Sequence, residues 1–174
     1  MATKRTVQIG NPAIRTKSVP VPLPASASVK KIVRDLVDSM RANGLVGMAA
    51  PQIGINKRIF VTEIRTTDTR RSDGRDPVRV FINPKILEVS ARKTADYEGC
   101  GSVAYAGLFG IVRRANTVMV AAYGLDGKRF VLRVEGLLAR IVQHEQDHLE
   151  GKVFLDRMAG MGSITGREEL LKRK

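Results

Sequence analysis

Two histidines and one cysteine are the only imidazole and thiol groups in this 174-residue chain, and they fall in two short stretches. His144 and His148 stand in His144-Glu145-Gln146-Asp147-His148. On a helix, positions four apart lie about 40° apart around the axis and ~6 Å apart along it. Both imidazoles therefore reach toward one cation. Glu145 sits beside them, where its carboxylate can move the proton of an activated water, as in metal-dependent hydrolases. Leu137, Ile141, His144 and His148 recur at helical spacing and form one stripe. The histidines thus face the core, where an unpaired imidazole costs free energy. Cys100 lies in Glu98-Gly99-Cys100-Gly101-Ser102, between glycines that let a tight backbone present a thiolate. A lone cysteine serves equally well as a small core residue, so residue type alone leaves both roles open.

These side chains need a frame, and the sequence outlines one. Residues 9–24 carry Pro12, Pro20, Pro22 and Pro24 and are expected to form an extended arm laid over the domain. Ser26 or Ser28 caps a helix running to about residue 42, with Val29, Ile32, Val33, Leu36, Val37 and Met40 on its inner face. Asn43-Gly44 ends it. Residues 44–54, rich in small residues, allow close backbone approach to a ligand; Pro51 stiffens the turn, and Gln52 offers an amide. Strands are expected over 57–64, over 78–82 with Asn83-Pro84 as terminator, and over 86–90. Residues 66–77, with Arg70, Arg71 and Arg75, read as an exposed loop. A hairpin joins 117–123 to 129–134 through Leu125-Asp126-Gly127-Lys128. Gly136 opens and Gly151 closes the histidine helix. Residues 153–155 pack back on the core. Ser163 or Thr165 caps a last helix ending near Lys174.

Length predicts one domain, 1–174, large enough to bury a core. No apolar run is long enough to span a bilayer, so no membrane partner is expected. The lone cysteine excludes an internal disulfide framework and fits a reducing cytoplasm. The start lacks the apolar segment of a secretory signal; being basic and free of acids before Asp35, it leaves an organellar address open. A net charge of +13 favours an anionic partner such as RNA.

Three segments stand in order: Gly47-Met48-Ala49-Ala50-Pro51-Gln52, Glu98-Gly99-Cys100-Gly101-Ser102 and His144-Glu145-Gln146-Asp147-His148. Together they resemble the three motifs of peptide deformylases, over roughly residues 9–157. The chain departs from the family pattern at Leu45, where glycine is usual, at Met48, at Gly101, where leucine is usual, and at Arg113. The resemblance implies an α+β fold: mixed and antiparallel sheets packed around the helix of His144, with an N-terminal helix and a short C-terminal one. It implies Cys100, His144 and His148 as metal ligands, Glu145 as general acid and base, and Gln52 with the Gly101 N–H as oxyanion donors. Val46, Gly47, Gly101, Leu137 and Ile141 would line the substrate pocket. Fe2+ is the implied metal, with Zn2+, Ni2+ or Co2+ able to occupy a purified preparation. The implied reaction is hydrolysis of the formyl group from N-formylmethionyl nascent peptides.

Further expectations follow. Arg114 should pair with Glu98 or Asp147 and fix the ligand segments. Arg167 and Lys172-Arg173-Lys174 should lie on ribosomal RNA while Leu170 and Leu171 pack on the domain, so that removing 167–174 leaves turnover of a short peptide nearly unchanged. Two rival readings stand beside the deformylase. One is a zinc endopeptidase taking a third ligand from Glu168 or Glu169. The other is an inactive basic binding protein on the same scaffold.

Overall fold

The computed structural model describes residues 3–69 and 74–173. Arg70 and Arg71 of the expected basic loop and Lys174 of the basic tail lie outside the described residues. In chain order come α1 (Pro12–Arg15), α2 (Ala27–Ala42), β1 (Gly47–Ala49), β2 (Ile59–Ile64), β3 (Asp76–Val89), β4 (Lys93–Gly99) and β5 (Leu108–Ala115). After them follow β6 (Thr117–Tyr123), β7 (Arg129–Glu135), α3 (Gly136–Leu149), β8 (Thr165–Gly166) and α4 (Arg167–Leu171).

The strands form two sheets: a five-stranded one in the order β1-β2-β3-β6-β7, and a three-stranded one in the order β4-β5-β8. Every pairing of these strands is antiparallel. The α+β class is as expected, but the mixed sheet is not. Parallel neighbours need a crossover between them, whereas α3 follows the last strand of its sheet. Among the described residues the only parallel pairing is an isolated bridge, Val19 to Lys57.

Helix α2 starts where Ser26 Oγ accepts from the Val29 N–H at 3.4 Å. It buries Val29, Val33, Leu36 and Met40 and packs on β1 and β2. Behind the larger sheet, Phe60 and Phe81 stack at 4.6 Å; truncating either to alanine costs about 3–5 kcal/mol. Helix α3 touches strands of both sheets, β1, β2 and β7 on one side and β5 on the other. Gly151 closes it in the left-handed conformation, φ 72°. There the Arg15 backbone sits where any side chain would go.

Four expectations need correction. The proline-rich arm contains a helical turn, α1, capped by Asn11, which inserts the fully buried Ile14. The two strands expected over 78–90 are one, β3. Asn83 adopts φ 51° at an irregularity between Ile82 and Lys85, so the strand bends without ending. Its side chain accepts from the Val21 N–H and donates to the Val21 carbonyl, both at 2.8 Å, which ties the arm to the sheet. Strands β4 and β5, absent from the sequence reading, carry Glu98 and Arg114. Lastly, neither Ser163 nor Thr165 caps α4. Ser163 Oγ accepts from Ile111 N–H at 3.1 Å, Thr165 pairs in β8 with Phe109, and Gly166 stands at the cap.

Candidate active site

The first segment enters from α2. Residues 50–53 form a single 3-10 turn after β1. Within it Gln52, 2% exposed, uses its Oε1 to accept the Ala49 N–H at 2.8 Å. That bond fixes the amide and leaves Nε2 3.5 Å from Cys100 Sγ. Gly47 is required for contact between β1 and α3: a Cβ there would strike the Glu145 carboxylate and come within 2.7 Å of Ile141 Cγ2.

The second segment leaves β4. Cys100 is buried, 2% exposed. Just beyond it Ala104, Tyr105 and Ala106 all hold positive φ, 47°, 52° and 60°. Each such residue costs roughly 1–2 kcal/mol, so the turn persists only where its surroundings over-determine it. Ala106 N–H supplies part of that, donating to the Cys100 and Val103 carbonyls at 3.1 Å each.

The third segment is α3. The His144 and His148 rings meet edge to face, centroids 5.0 Å apart. His148 Nε2 lies 3.2 Å from Cys100 Sγ. Ligand atoms of Cys100, His144 and His148 fall within 4.8 Å of one another. His144 Nδ1 lies 2.9 Å from Glu98 Oε2, which sets the ring's orientation. Glu145 is 3% exposed, and its Oε2 has no hydrogen-bond partner. Burial pushes its carboxyl up to about 7, with the Glu98 charge adding to that and the His144 and Arg114 charges opposing it. Burial and the neighbouring His144 and Arg114 charges hold His148 well below the usual imidazole range, as a neutral metal ligand requires. Burial also disfavours charge on His144, but hydrogen bonds to Cys100 and Glu98 outweigh it and raise that imidazole.

Behind the ligands lies an ion network, buried except at Arg157 on its rim. Arg114 donates to both Glu98 oxygens, Nε at 3.0 Å and Nη2 at 2.9 Å, and to Asp147 Oδ2 at 2.5 Å. It therefore joins β4 to α3 through both expected acids. Arg113, its neighbour, is exposed. Two members were missed in sequence: Arg140, 2.7 Å from Glu98, and Arg157, 2.5 Å from Asp147. Arg140 sits one helical turn before His144, which is a readable signal. Arg157 had none. Burial opposes ionisation of Glu98, but the His144 and Arg114 hydrogen bonds prevail and hold its carboxyl well below the usual range.

These groups open onto a cavity of about 550 Å³. Val46, Gly47, Gln52, Gly101, Leu137 and Ile141 all line it, as do Cys100, His144 and Glu145, while His148 is fully buried behind. Leu45, in the same wall, covers Gly101: a Cβ on Gly101 would lie 2.9 Å from Leu45 Cδ1. Tyr97 and Phe109 of the small sheet were not foreseen as lining residues, nor was the C-terminal segment. Leu170 and Arg173 also line the cavity. The tail is therefore not a free basic arm. Arg173 donates to the Tyr97 hydroxyl at 2.5 Å, Arg167 pairs with Asp68 at 3.0 Å, and Leu171 stays 40% exposed. Glu168 and Glu169 are exposed, and Glu169 is taken by Lys172 at 2.6 Å. Among the described residues, the cluster able to hold a metal draws its third member from Cys100.

Comparison with known proteins points to peptide deformylases. The family model described as "Polypeptide deformylase" matches residues 3–163. A peptide deformylase 1 of Clostridium perfringens is 47% identical over 128 residues, 74% of this chain and 80% of that one. A peptide deformylase of Desulforudis audaxviator is 41% identical over 157 residues, 90% and 94% of the two chains. Among solved structures, a class I type b peptide deformylase of Acinetobacter baumannii bound to Met-Ala-Ser superposes with a TM-score of 0.84 at 31% identity, over 90% of this chain and all of that one. With its three motifs converging on one cavity and the family model spanning most of its length, this chain belongs to the polypeptide deformylase family.

Proposed function

We propose that the chain hydrolyses the formyl group from N-formylmethionyl peptides, acting on nascent chains. The observation that carries this reading is the convergence of Cys100, His144 and His148 beside a buried, unpartnered Glu145 carboxylate. The donor set fits a metal: a thiol, two imidazoles, and a buried His148 Nε2 already 3.2 Å from Sγ. A divalent cation held there would supply Lewis acidity to the attacking water and the formyl oxygen. We assign it as Fe2+, with Zn2+, Ni2+ or Co2+ as replacements in a purified sample; thiolate and imidazole suit all of these.

The chain's own residues do the rest. Glu145 takes the water's proton at a carboxylate oxygen. Its carboxyl, raised to about 7, suits a group that both accepts and returns a proton near neutral pH. It then protonates the departing amine nitrogen, so that formamide and water yield formate and a free N-terminus. Gln52 Nε2 and the Gly101 N–H donate to the oxygen that gains negative charge. Val46, Gly47, Leu137 and Ile141 offer an apolar wall for the methionine side chain.

We read residues 1–174 as one catalytic unit arranged around α3, supported by that helix's contacts with both sheets. Among the described residues, no helix is long and apolar enough to cross a membrane. The lone buried cysteine supports a reducing, cytoplasmic setting. The charge of +13 supports contact with ribosomal RNA. Because Leu170 and Arg173 line the cavity, deleting 167–174 would disturb turnover as well. Lys172→Glu, outside the cavity lining, tests the ribosome contact cleanly: it should weaken binding and flatten its salt dependence. The catalytic reading is tested by incubating metal-loaded protein with a formyl-Met tripeptide. Stoichiometric formate and free amine are expected. No formate, or cleavage of an internal bond in an unblocked peptide, would overturn it.

A further inference from the structure

The residues before α1 look unremarkable in sequence, yet they grip both oxyanion segments. Thr6 is 4% exposed, and its hydroxyl donates to the Gly101 carbonyl at 2.7 Å. Gln8 Nε2 donates to the same carbonyl at 2.8 Å. Val7 N–H reaches the Gln52 carbonyl at 2.9 Å, and Ile9 N–H the Ser102 carbonyl at 2.8 Å. Four consecutive residues thus each bond to the Gln52 segment or to the segment after Cys100. The strap is itself anchored on α2, where Lys4 N–H donates to Ser39 Oγ at 2.9 Å.

The target of two of these bonds is specific. The Gly101 carbonyl belongs to the peptide unit whose N–H is that of Ser102, and Ser102 N–H points at Cys100 Sγ, 3.3 Å away. Donors on the carbonyl polarise the peptide and strengthen its N–H as a donor, since hydrogen bonds in series reinforce one another where water is scarce. Gln8 adds a second constraint: its Oε1 accepts the Tyr105 N–H at 3.1 Å, inside the left-handed turn after Cys100. We infer that Thr6 and Gln8 are positioning residues for the Cys100 thiolate, fixing the Gly101–Ser102 peptide so that its N–H tempers the sulfur's electron donation to a bound metal. This rests on the reading of Cys100 as a ligand. It predicts a sulfur that oxidises more slowly than it would without these bonds, because hydrogen bonds to a thiolate lower the energy of its lone pairs and its nucleophilicity.

The test uses Co2+-loaded full-length protein, whose thiolate-to-metal charge-transfer band reports on the sulfur directly. Thr6→Val keeps the shape and deletes the donor. Gln8→Glu keeps the acceptor for Tyr105 and deletes the other donor. Thr6→Ser keeps the hydroxyl. We expect the band to move to longer wavelength in T6V and Q8E, and peroxide to oxidise Cys100 several-fold faster in both, as read by intact mass. T6S should match the parent protein. If T6V does not fold, Q8E against the parent decides alone. An unmoved band with an unchanged oxidation rate overturns the inference, as does a T6S protein that shifts like T6V. Absence of any thiolate band in the parent protein, or its survival in Cys100→Ala, instead overturns the ligand assignment beneath it.

Discussion

Two buried glutamates lining the same cavity have opposite surroundings. Glu98 shares its oxygens among Arg114, Arg140 and His144, and its carboxyl is held below its ordinary range. Glu145 has an unpartnered oxygen, and burial lifts its carboxyl to about 7. A satisfied charge is inert and holds geometry; an unsatisfied one is poised to take or give a proton. The two duties stand on different elements: Glu98 lies on β4 and is held by Arg114 of β5 and by Arg140 and His144 of α3, whereas Glu145 lies on α3 and lines the cavity.

The contrast breaks most sharply at Glu145. Glu145→Gln cannot accept a proton, so kcat should fall about 10²–10⁴-fold with metal content unchanged; steady-state formate release with metal analysis checks both halves. On the other side, Arg114→Met should spare the chemistry and damage the frame. It leaves Glu98 and Asp147 each short of a partner, a loss of about 3–5 kcal/mol, measured by urea unfolding of the metal-free protein.

pH separates the two carboxylates by sign. Glu98, depressed on folding from an ordinary 4.5, stabilises the fold above that pH, and the contribution is lost as pH falls toward its folded value. Glu145, raised from 4.5 to about 7, does the reverse: its contribution is intact below 4.5 and is lost as pH rises to 7. Metal-free E145Q should therefore gain on its parent between pH 5 and 8, on the order of 2 kcal/mol. Equal pH profiles would remove the asymmetry. The smallest effect concerns the cavity wall. Gly101→Ala places a Cβ 2.9 Å from Leu45 Cδ1, costing ~1 kcal/mol. Leu45→Ala in the same chain should return most of it, as a double-mutant cycle would measure.

The sequence displays the reactive side more clearly than the frame. Helix α3 was legible because its apolar residues and histidines share one period and glycines mark both ends. The hairpin of β6 and β7 was legible through β-branched runs and Asp126-Gly127. Strand β4 was not, because what it buries is a carboxylate, Glu98, and a strand that buries charge lacks the apolar alternation by which strands are read. The proline rule misled at Asn83-Pro84, where side-chain bonds to Val21 let the strand continue. Cys100 and both histidines stand in readable motifs; Tyr97, Phe109, Arg157, Leu170 and Arg173 reach the site through tertiary folding, and Thr6 and Gln8 through hydrogen bonds that leave no trace in composition.

Leu45 resting on Gly101 also constrains substitution. With leucine at 45, a side chain at 101 presses on Leu45 Cδ1; with a smaller residue at 45, that pressure is relieved. Shrinking one residue before enlarging the other avoids the contact in the cavity wall; the opposite order incurs it. Each position's tolerance therefore depends on the size of its partner, so a substitution at one is read correctly only with the residue at the other in view.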